Sequence, residues 1–409
     1  MRGPDLGAQN VLHPFASLTP EAVLDAVSAL GVDVDGRLHA LSSYENRVYE
    51  LCCNEGQESV IAKFYRPKRW SRAQILEEHA FALALEREEV PMVAPMTVQG
   101  QTLHEVRVAT AQQDEDGPHV HEHEHEHEHE HEHEHEHEHE HEHEHEHEHE
   151  HEHEHAESNT SEVFFMSLSP KRGGRWPELD DPEVLTWLGR LLARVHQVGE
   201  IQAFVSRPSL DMASFGWEPR LWLLEDFSLP AECREEWAQV SQAALALVQE
   251  AMSRGGATAS AASSPSGGPG FKTLRLHGDF HPGNILWTPA GEKTAGGPHF
   301  VDLDDARMGP AVQDLWMLLN GERADQTLQL SCLLEGYETL RDFDRRELAL
   351  IEPLRTLRLI HYSAWLAQRM GDPAFVRAFD WFGTTSYWRD QIVVLQDQCE
   401  RMREPPLVA

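Results

Sequence analysis

Residues 277–284 constrain the fold of this 409-residue chain more than any other segment, because they read His-Gly-Asp-Phe-His-Pro-Gly-Asn. The Pro-Gly pair is typical of a tight turn, since proline fixes one backbone angle and glycine adopts conformations that other residues avoid. Such a turn lets the side chains of Asp279 and Asn284 face one pocket. A third polar residue, Asp302, follows 18 residues after Asn284 in a mostly apolar run. The sequence therefore predicts a polar site built from a turn and the segment behind it.

The stretch between this turn and Asp302 predicts a β-hairpin. Residues 285–287 and 299–303 are short, mostly apolar runs typical of buried strands, and residues 288–297 form the polar connection between them. We expect Asp302 to lie within the second strand, which returns its carboxylate to the turn. A surface turn rich in Asp and Gly is the alternative, but it does not explain a second carboxylate on its own strand.

These three side chains are the ones that phosphoryl transfer requires. A protein catalyses this reaction mainly by positioning the reactants and neutralising charge. One carboxylate accepts the proton of the attacking hydroxyl, and an amide and a second carboxylate bind a hard cation such as Mg²⁺ through oxygen. The spacing predicts Asp279 as the catalytic base and Asn284 and Asp302 as the magnesium ligands.

A lysine inside an apolar strand adds a fourth part to the predicted site. Residues 59–64 read as a strand in which Lys63 is the only charged residue, and residues 71–87 read as the helix that follows. In kinases such a lysine binds the α- and β-phosphates of the nucleotide and pairs with a glutamate of the next helix. We assign these roles to Lys63 and Glu78. For Lys63 taken alone, an edge-strand lysine that reaches solvent is the alternative.

The rest of the pattern predicts a strand-rich first part and a helix-rich second part. Thr19 is a predicted N-cap, because Pro20 and helically spaced apolar residues follow it. The first part is predicted to contain a helix at residues 19–30 and strands at 38–51, 103–108 and 162–168. Residues 170–174 read as a hinge. The predicted helices after the hinge lie at residues 182–198, 314–319, 328–339 and 348–370.

Two segments lack the composition of a packed core. Residues 121–155 alternate 18 His with 17 Glu, and residues 255–270 contain only Gly, Ala, Thr, Ser and Pro. We predict a disordered insert at 119–160, in a loop of the first part, and a flexible insert at 255–270. Zinc or nickel binding along the repeat from His121 to His155 is one interpretation, and a solvated tract without a role in catalysis is the other.

The charge of the chain restricts its partners. The formal net charge is −36 with neutral His, and about −19 remains when the 17 Glu of the repeat are left out. Such an acidic chain disfavours nucleic acid and anionic membranes. The five cysteines lack metal-ligand spacing, and no apolar run approaches the length of a membrane helix. We therefore predict a cytoplasmic monomer with reduced thiols that binds neither nucleic acid nor membrane.

Five motifs carry a resemblance to a known family, and the resemblance spans roughly residues 13–407 apart from the two inserts. They are residues 42–49 (Ser-Ser-Tyr-Glu-Asn-Arg-Val-Tyr), 63–67 (Lys-Phe-Tyr-Arg-Pro), 74–79 (Gln-Ile-Leu-Glu-Glu-His), 274–284 and 301–319. In these motifs the chain resembles the aminoglycoside phosphotransferase and choline kinase superfamily and, more closely, the bacterial stress response kinase A family. The resemblance implies an α+β, bilobal, protein kinase-like fold of the aminoglycoside phosphotransferase type. The β-rich N-lobe then spans residues 1–170 and the larger, mostly helical C-lobe residues 171–409.

The resemblance also implies an activity and two further residue roles. The activity is that of an ATP- and Mg²⁺-dependent serine/threonine protein kinase in a response to envelope and oxidative stress that protects the cell against death. By motif match, Ser43 lies at the ATP phosphates, and Asp302 is a catalytic residue as well as a magnesium ligand. The acceptor protein and the regulatory trigger stay open.

The chain departs from ordinary protein kinases in ways that keep other interpretations open. Its nucleotide loop has no Gly-x-Gly-x-x-Gly, so we expect residues 42–46 to cover the phosphates. His-Gly-Asp stands in place of His-Arg-Asp and no Ala-Pro-Glu follows, so we expect constitutive activity. A small-molecule phosphotransferase acting on amino alcohols or aminoglycosides is the main alternative. A metal-binding protein on an inactive kinase scaffold is another, although Lys63, Asp279, Asn284 and Asp302 are all present.

Overall fold

The structure, a computed structural model, describes residues 14–54, 57–109, 161–227, 229–256, 271–291 and 296–409. The predictions for the His/Glu repeat at 121–155 and for most of residues 255–270 lie outside these ranges. No helix within the described ranges is long and apolar enough to cross a membrane. The described chain is α+β, with a strand-rich first part and a helix-rich second part, as the sequence predicts.

A five-stranded antiparallel sheet forms the core of the first part. Its strands are β1 (Val34–Leu41), β2 (Arg47–Cys53), β3 (Val60–Phe64), β4 (His104–Ala109) and β5 (Ser161–Pro170), in the spatial order β1-β2-β3-β5-β4. Lys63 of β3 pairs with Val48 of β2 and Ser167 of β5, so it does not lie on an edge strand. The prediction of one strand at 38–51 is wrong, because the polar residues 42–46 form a turn between β1 and β2.

Two helices of the first part begin where the sequence predicts, α1 (Pro20–Ser28) and α2 (Arg72–Arg87). The hydroxyl of Thr19 accepts an N–H of the first turn of α1 at 3.2 Å. The hydroxyl of Ser71 accepts the N–H of Gln74 at 3.3 Å, and the Gln74 side chain accepts the N–H of Ser71 at 2.9 Å. This capping box fixes the start of α2, and therefore the position of Glu78 two turns later.

Helices build most of the second part. They are α3 (Pro182–Glu200), α4 (Glu218–Glu225), α5 (Ala231–Gly256), α6 (Val312–Trp316), α7 (Arg323–Tyr337), α8 (Ile351–Arg369), α9 (Pro373–Ala378) and α10 (Thr385–Arg401). α3 and α7 pack with their backbones in contact. A Cβ on Gly189 of α3 would lie 2.0 Å from the carbonyl oxygen of Leu333, and one on Gly336 of α7 would lie 1.9 Å from that of Thr186. Glycine at both positions is therefore required by the packing.

Short strands surround the predicted catalytic turn. They are β6 (Leu274–Leu276), β7 (Ile285–Thr288), β8 (Gly297–Phe300) and β9 (Arg307–Gly309), paired as β6 with β9 and β7 with β8. The predicted hairpin is present, but its second strand ends at Phe300, so the placement of Asp302 within a strand is wrong. Asp302 has φ 64° and ψ 72° and precedes a 3₁₀ turn at Leu303–Asp305. Aspartate is one of the few residues that adopt this left-handed conformation readily.

The helix predictions for the second part are confirmed with shifted ends. The predicted helices at 182–198, 314–319, 328–339 and 348–370 correspond to α3, α6, α7 and α8. Residues 348–350 belong to a 3₁₀ turn, Arg345–Leu350, that precedes α8. Helices α4, α5, α9 and α10 were not predicted. Of these four, α9 contacts the turn between β1 and β2 through Phe375, and the predicted α8 contacts the same turn through Trp365.

Candidate active site

The turn at residues 277–284 connects β6 to β7 and is held by Asp314 of α6. The two carboxylate oxygens of Asp314 accept the N–H groups of His277 at 2.9 Å and Gly278 at 2.8 Å. Gly278 has φ 84°, and a Cβ there would lie 2.2 Å from the carbonyl oxygen of Asp305. Both the conformation and the space therefore require glycine. These contacts fix the backbone that presents the next residue, the predicted base.

Asp279 and Asn284 are joined across this turn. The carboxamide nitrogen of Asn284 donates to the backbone carbonyl oxygen of Asp279 at 2.9 Å, which leaves the carboxamide oxygen available to a cation. Burial alone would raise the pKa of the Asp279 carboxyl, but a hydrogen bond from His281 and the charge of Arg358 outweigh burial and lower this pKa well below its usual range. Asp279 is therefore ionised at neutral pH.

Asp302 lies beside the same turn. The N–H of Val301 donates to the carbonyl oxygen of Asn284 at 3.1 Å, and the ring of His277 donates to the carbonyl oxygen of Val301 at 2.9 Å. The Asp302 side chain is 51% exposed, and its Oδ1 accepts a hydrogen bond from Nζ of Lys63 at 3.0 Å. The turn, Asp302 and the strand lysine therefore form one cluster.

Three carboxylates surround Lys63. Its Nζ lies 3.0 Å from Asp302, 3.3 Å from Asp304 and 3.8 Å from Glu78. Burial alone would lower the pKa of the Lys63 ammonium, but the three carboxylates outweigh burial and raise it well above its usual value. Glu78, the predicted helix partner, is the most distant of the three, and Nη1 of Arg207 contacts its other oxygen at 3.0 Å. Glu78 therefore lies between two cations.

Glu45 joins the β1–β2 turn to the helical part of the molecule. The indole nitrogen of Trp365 on α8 donates to its carboxylate at 2.7 Å, and the guanidinium of Arg369 contacts the same oxygen. The carboxylate also pairs with Nε of Arg66 at 3.1 Å and with Nη1 of Arg69 at 2.9 Å. We call these five residues the Glu45 cluster.

Further contacts extend from the Glu45 cluster. Arg69 also pairs with Asp304 at 3.3 Å and with Asp305 at 2.9 Å, which ties the β1–β2 turn to the segment that follows Asp302. The ring of Tyr44 packs edge-on against Phe379, with 4.7 Å between the centroids. The β1–β2 turn therefore contacts both the segment after β8 and the C-terminal helices.

Ser43 lies in the β1–β2 turn and is half-buried. Among the residues that the structure describes, its hydroxyl has no hydrogen-bond partner, so no hydrogen bond joins it to the Lys63 cluster. Asn46 anchors this turn: it is 2% exposed, and its Oδ1 accepts the N–H of Arg66 at 3.0 Å. The structure thus brings Lys63, Glu78 and Asp302 together and leaves Ser43 on the neighbouring turn.

Several residues of this region were not predicted from the sequence. Asp304 carried a signal, since a second acidic residue in an apolar run is unusual. Glu45 and Arg69 lay within or beside recognised motifs without a distinct role. Arg358 of α8 gave no signal, yet its Nη2 lies 2.7 Å from Oδ1 of Asp279. Only the folded chain brings this arginine to the predicted base.

The bilobal fold and this cluster of carboxylates, carboxamide and lysine define a protein of the phosphotransferase class. The phosphotransferase enzyme family matches residues 146–351 of the chain. The chain is also 37% identical over 393 residues to the stress response kinase A of Salmonella choleraesuis strain SC-B67, which covers 96% of both chains. Identity to the stress response kinase A of Escherichia coli K12 is 37% over 399 residues, with 97% of this chain and 98% of the relative covered. The chain belongs to the stress response kinase A family.

A further relative agrees with this assignment, and two solved structures share the fold. A relative from Salmonella typhimurium strain LT2, 37% identical over 96% of both chains, is named serine/threonine protein kinase RdoA. Among solved structures, an amicoumacin kinase in complex with AMP-PNP and Ca²⁺ aligns with a TM-score of 0.61 and 17% identity, covering 96% of both chains. A microcompartment-associated aminopropanol kinase aligns with a TM-score of 0.56 and 17% identity, covering 92% of this chain and 95% of that one. The fold expected from the resemblance is therefore confirmed.

Proposed function

We propose that this protein is a serine/threonine protein kinase that uses ATP and Mg²⁺ and acts in a bacterial stress response. The observation that carries the proposal is the contact of the Asp279–Asn284 turn with the Lys63–Asp302 pair. This arrangement sets an ionised carboxylate, oxygen ligands for a cation and a half-buried ammonium side by side. The name of the Salmonella typhimurium relative supports a protein hydroxyl as the acceptor.

Asp279 accepts the proton of the acceptor hydroxyl. Its carboxyl has a strongly lowered pKa, so it acts by orienting the hydroxyl and takes the proton as the new phosphate ester bond forms. The Asp314 contacts to the two preceding N–H groups hold Asp279 in place. Positioning of this kind is the main contribution that a protein makes to phosphoryl transfer.

Asn284 and Asp302 hold the magnesium ion. The residues fit such a cation, because the nitrogen of the Asn284 carboxamide is engaged with the Asp279 carbonyl and its oxygen is left over. The exposed carboxylate of Asp302 supplies a second hard oxygen ligand. When bound, Mg²⁺ neutralises charge on the phosphates. Asp302 is thereby also a catalytic residue, as the family resemblance implies.

Lys63, Glu78 and Ser43 bind the nucleotide. Lys63 provides a half-buried ammonium for the phosphates, and Glu78 orients it from α2. Arg207 keeps Glu78 in place by pairing with its second oxygen. Ser43 covers the phosphates from the β1–β2 turn, which the Glu45 cluster holds against α8.

Transfer of labelled phosphate from ATP tests the proposal. Purified protein is incubated with radiolabelled ATP and Mg²⁺, alone, with a generic protein acceptor, and with a panel of amino alcohols and aminoglycosides. We expect label on protein serine or threonine, and a loss of about a hundredfold to ten-thousandfold in Asp279→Asn because the base is gone. Asp342→Asn, which changes an exposed carboxylate far along the sequence, is the matched control.

The possible results separate the candidate functions. Label on small alcohols but not on protein would contradict the protein-kinase assignment and favour a metabolite phosphotransferase. Full transfer by Asp279→Asn would show that Asp279 is not the base. Circular dichroism of each variant checks that the loss of transfer does not come from unfolding.

A further inference from the structure

One face of α8 extends from the catalytic turn to the β1–β2 turn. It carries Arg358, Tyr362, Trp365 and Arg369, at the spacings of three and four residues that align side chains on a helix. Arg358 contacts Asp279 at one end, and Trp365 donates to Glu45 further along. We call this face the α8 wall. An acceptor whose hydroxyl reaches Asp279 therefore lies next to Arg358.

The two carboxylate oxygens of Asp279 differ in their surroundings. Oδ1 is buried and accepts no hydrogen bond from the described residues, and Nη2 of Arg358 approaches it at 2.7 Å without hydrogen-bond geometry. Oδ2 lies 3.4 Å from Nε2 of His281. The side chain is 18% exposed, and Oδ1 does not contribute to that surface. The acceptor hydroxyl is therefore expected at Oδ2, with the Arg358 guanidinium beside it.

Arg358 has hydrogen-bond donors to spare. Its side chain is 37% exposed, and within the described ranges Asp279 is the only carboxylate at ion-pair distance. A guanidinium carries five N–H donors in a planar fork that matches a carboxylate. Arg66, Arg69 and Arg369 are already engaged with Glu45, and Arg307 pairs with Asp305 at 2.8 Å. Arg358 is therefore the arginine that can receive a group from the acceptor.

We propose that Arg358 and Tyr362 form an acceptor subsite that binds a carboxylate located next to the hydroxyl that is phosphorylated. This inference rests on the proposed function, because the subsite exists only if Asp279 receives a protein hydroxyl. The carboxylate belongs to an Asp or Glu that neighbours the acceptor serine or threonine. Amines at the same place are disfavoured, because Arg358 repels them.

Tyr362 complements the arginine. Its side chain is 40% exposed and stacks on Trp365, with 5.6 Å between the centroids and 12° between the rings. The stacked pair presents a flat, rigid apolar surface one helical turn from Arg358. An acceptor chain packs its backbone on this surface while its acidic side chain pairs with the guanidinium. A site made of a flat aromatic surface and one cation recognises a negative charge close to the acceptor hydroxyl and does not require a long acceptor sequence.

Three matched acceptors test the inference. One inert carrier protein is prepared with a terminal serine segment in which the residues next to the serine are Glu, Gln or Lys. Initial rates of transfer give kcat and KM for each carrier with wild type, Arg358→Gln and Arg358→Lys. Arg389→Gln, at an exposed arginine on α10, is the matched control.

We expect wild type to favour the Glu carrier over the Gln carrier by about tenfold in kcat/KM, mainly through KM, and the Lys carrier to be the poorest. In Arg358→Gln the kcat/KM for the Glu carrier falls to about that for the Gln carrier. Arg358→Lys restores part of the preference for the Glu carrier, and Arg389→Gln keeps the full preference. A merely structural role of Arg358 lowers the rates for all carriers together and leaves their ratio unchanged, which would overturn the inference.

Failure of the inference and failure of the proposed function give different results. Equal transfer to the three carriers by wild type overturns the acidic subsite and leaves the protein-kinase assignment standing. Absence of label on every carrier, together with label on amino alcohols, contradicts the proposed function itself and the subsite with it.

Discussion

Replacement of Glu45 by glutamine tests whether charge holds the β1–β2 turn against the helical part. The Glu45 side chain is 13% exposed, and the guanidinium groups that it contacts belong to Arg66, Arg69 and Arg369, whose side chains are 13%, 16% and 8% exposed. Burial lowers the pKa of Arg369 to about 10, although Glu45 opposes this effect. The buried guanidinium of Arg369 therefore depends on Glu45 for neutralisation, whereas Arg69 also pairs with Asp304 and Asp305.

The magnitude follows from this burial. Removing one partner of a buried ion pair costs about 3–5 kcal/mol, because the remaining charge stays buried without compensation. Glutamine keeps the shape of the side chain and one carbonyl oxygen for the N–H of Trp365, so we expect a value at the lower end, about 3 kcal/mol. The control is Glu105→Gln. Glu105 is 50% exposed and pairs at 3.2 Å with Arg72, which is 45% exposed, and such surface pairs contribute about 0–1 kcal/mol.

Urea denaturation followed by circular dichroism and tryptophan fluorescence measures the effect. We expect the free energy of unfolding to fall by about 3 kcal/mol in Glu45→Gln and by less than about 1 kcal/mol in Glu105→Gln. Equal, small losses in both variants would refute the reasoning, since they would mean that water compensates the three guanidinium groups as well as the carboxylate does. A loss in Glu45→Gln with an unchanged dependence on urea would show that stability falls without a change in the surface exposed on unfolding.

Two further predictions concern stability away from the site. Burial raises the pKa of Glu347, which accepts the N–H of Val312, to about 7. The folded state therefore retains a proton that the unfolded state loses at lower pH, so the stabilisation by Glu347 is full at acidic pH and is lost as the pH rises towards 7. Glu347→Gln should remove this pH-dependent loss of stability, which amounts to up to about 3 kcal/mol. If wild type and Glu347→Gln showed the same dependence of unfolding on pH, the prediction would be contradicted. Gly189→Ala should destabilise the protein by about 1–3 kcal/mol, because the added Cβ meets the Leu333 carbonyl oxygen where α3 packs on α7. Gly371→Ala is the control: open space surrounds Gly371, so its thermal unfolding should change little.

The parts of the site that the sequence predicts are those with local signals. The turn at residues 277–284 was predicted from the sequence because its adjacent Pro and Gly leave the backbone few conformations. Lys63 was predicted as a site residue because a lysine is unusual inside an apolar strand. In the structure three carboxylates surround its ammonium group. The strand assignment of Asp302 failed because apolar residues continue past Phe300, while the backbone turns into the left-handed region at Asp302. Hydrophobic pattern does not report such a single-residue change in backbone angle.

The parts that the sequence does not predict depend on long-range contacts. Glu45 meets Trp365 at a separation of 320 residues, and nothing local distinguishes this glutamate from its exposed neighbours. Arg358 is likewise one of several arginines on α8, and only the packing of that helix brings it to Asp279. Helical periodicity identifies which face of a helix is apolar, but it does not say what the polar face meets.

The α8 helix gives a physical basis for the expected constitutive activity. One of its faces is buried in the core, where Leu354, Leu357 and Ile360 are at most 1% exposed. The α8 wall contacts Asp279 near one end and the Glu45 cluster near the other, a rise of about 16 Å from Arg358 to Arg369. The distance between the β1–β2 turn and Asp279, the predicted base, is therefore set by a packed helix rather than by a mobile segment. In a protein kinase that is switched by phosphorylation, activity requires an activation loop that must first be ordered. Here the packed core of α8 sets the distance between the β1–β2 turn and Asp279, which is consistent with the predicted constitutive activity.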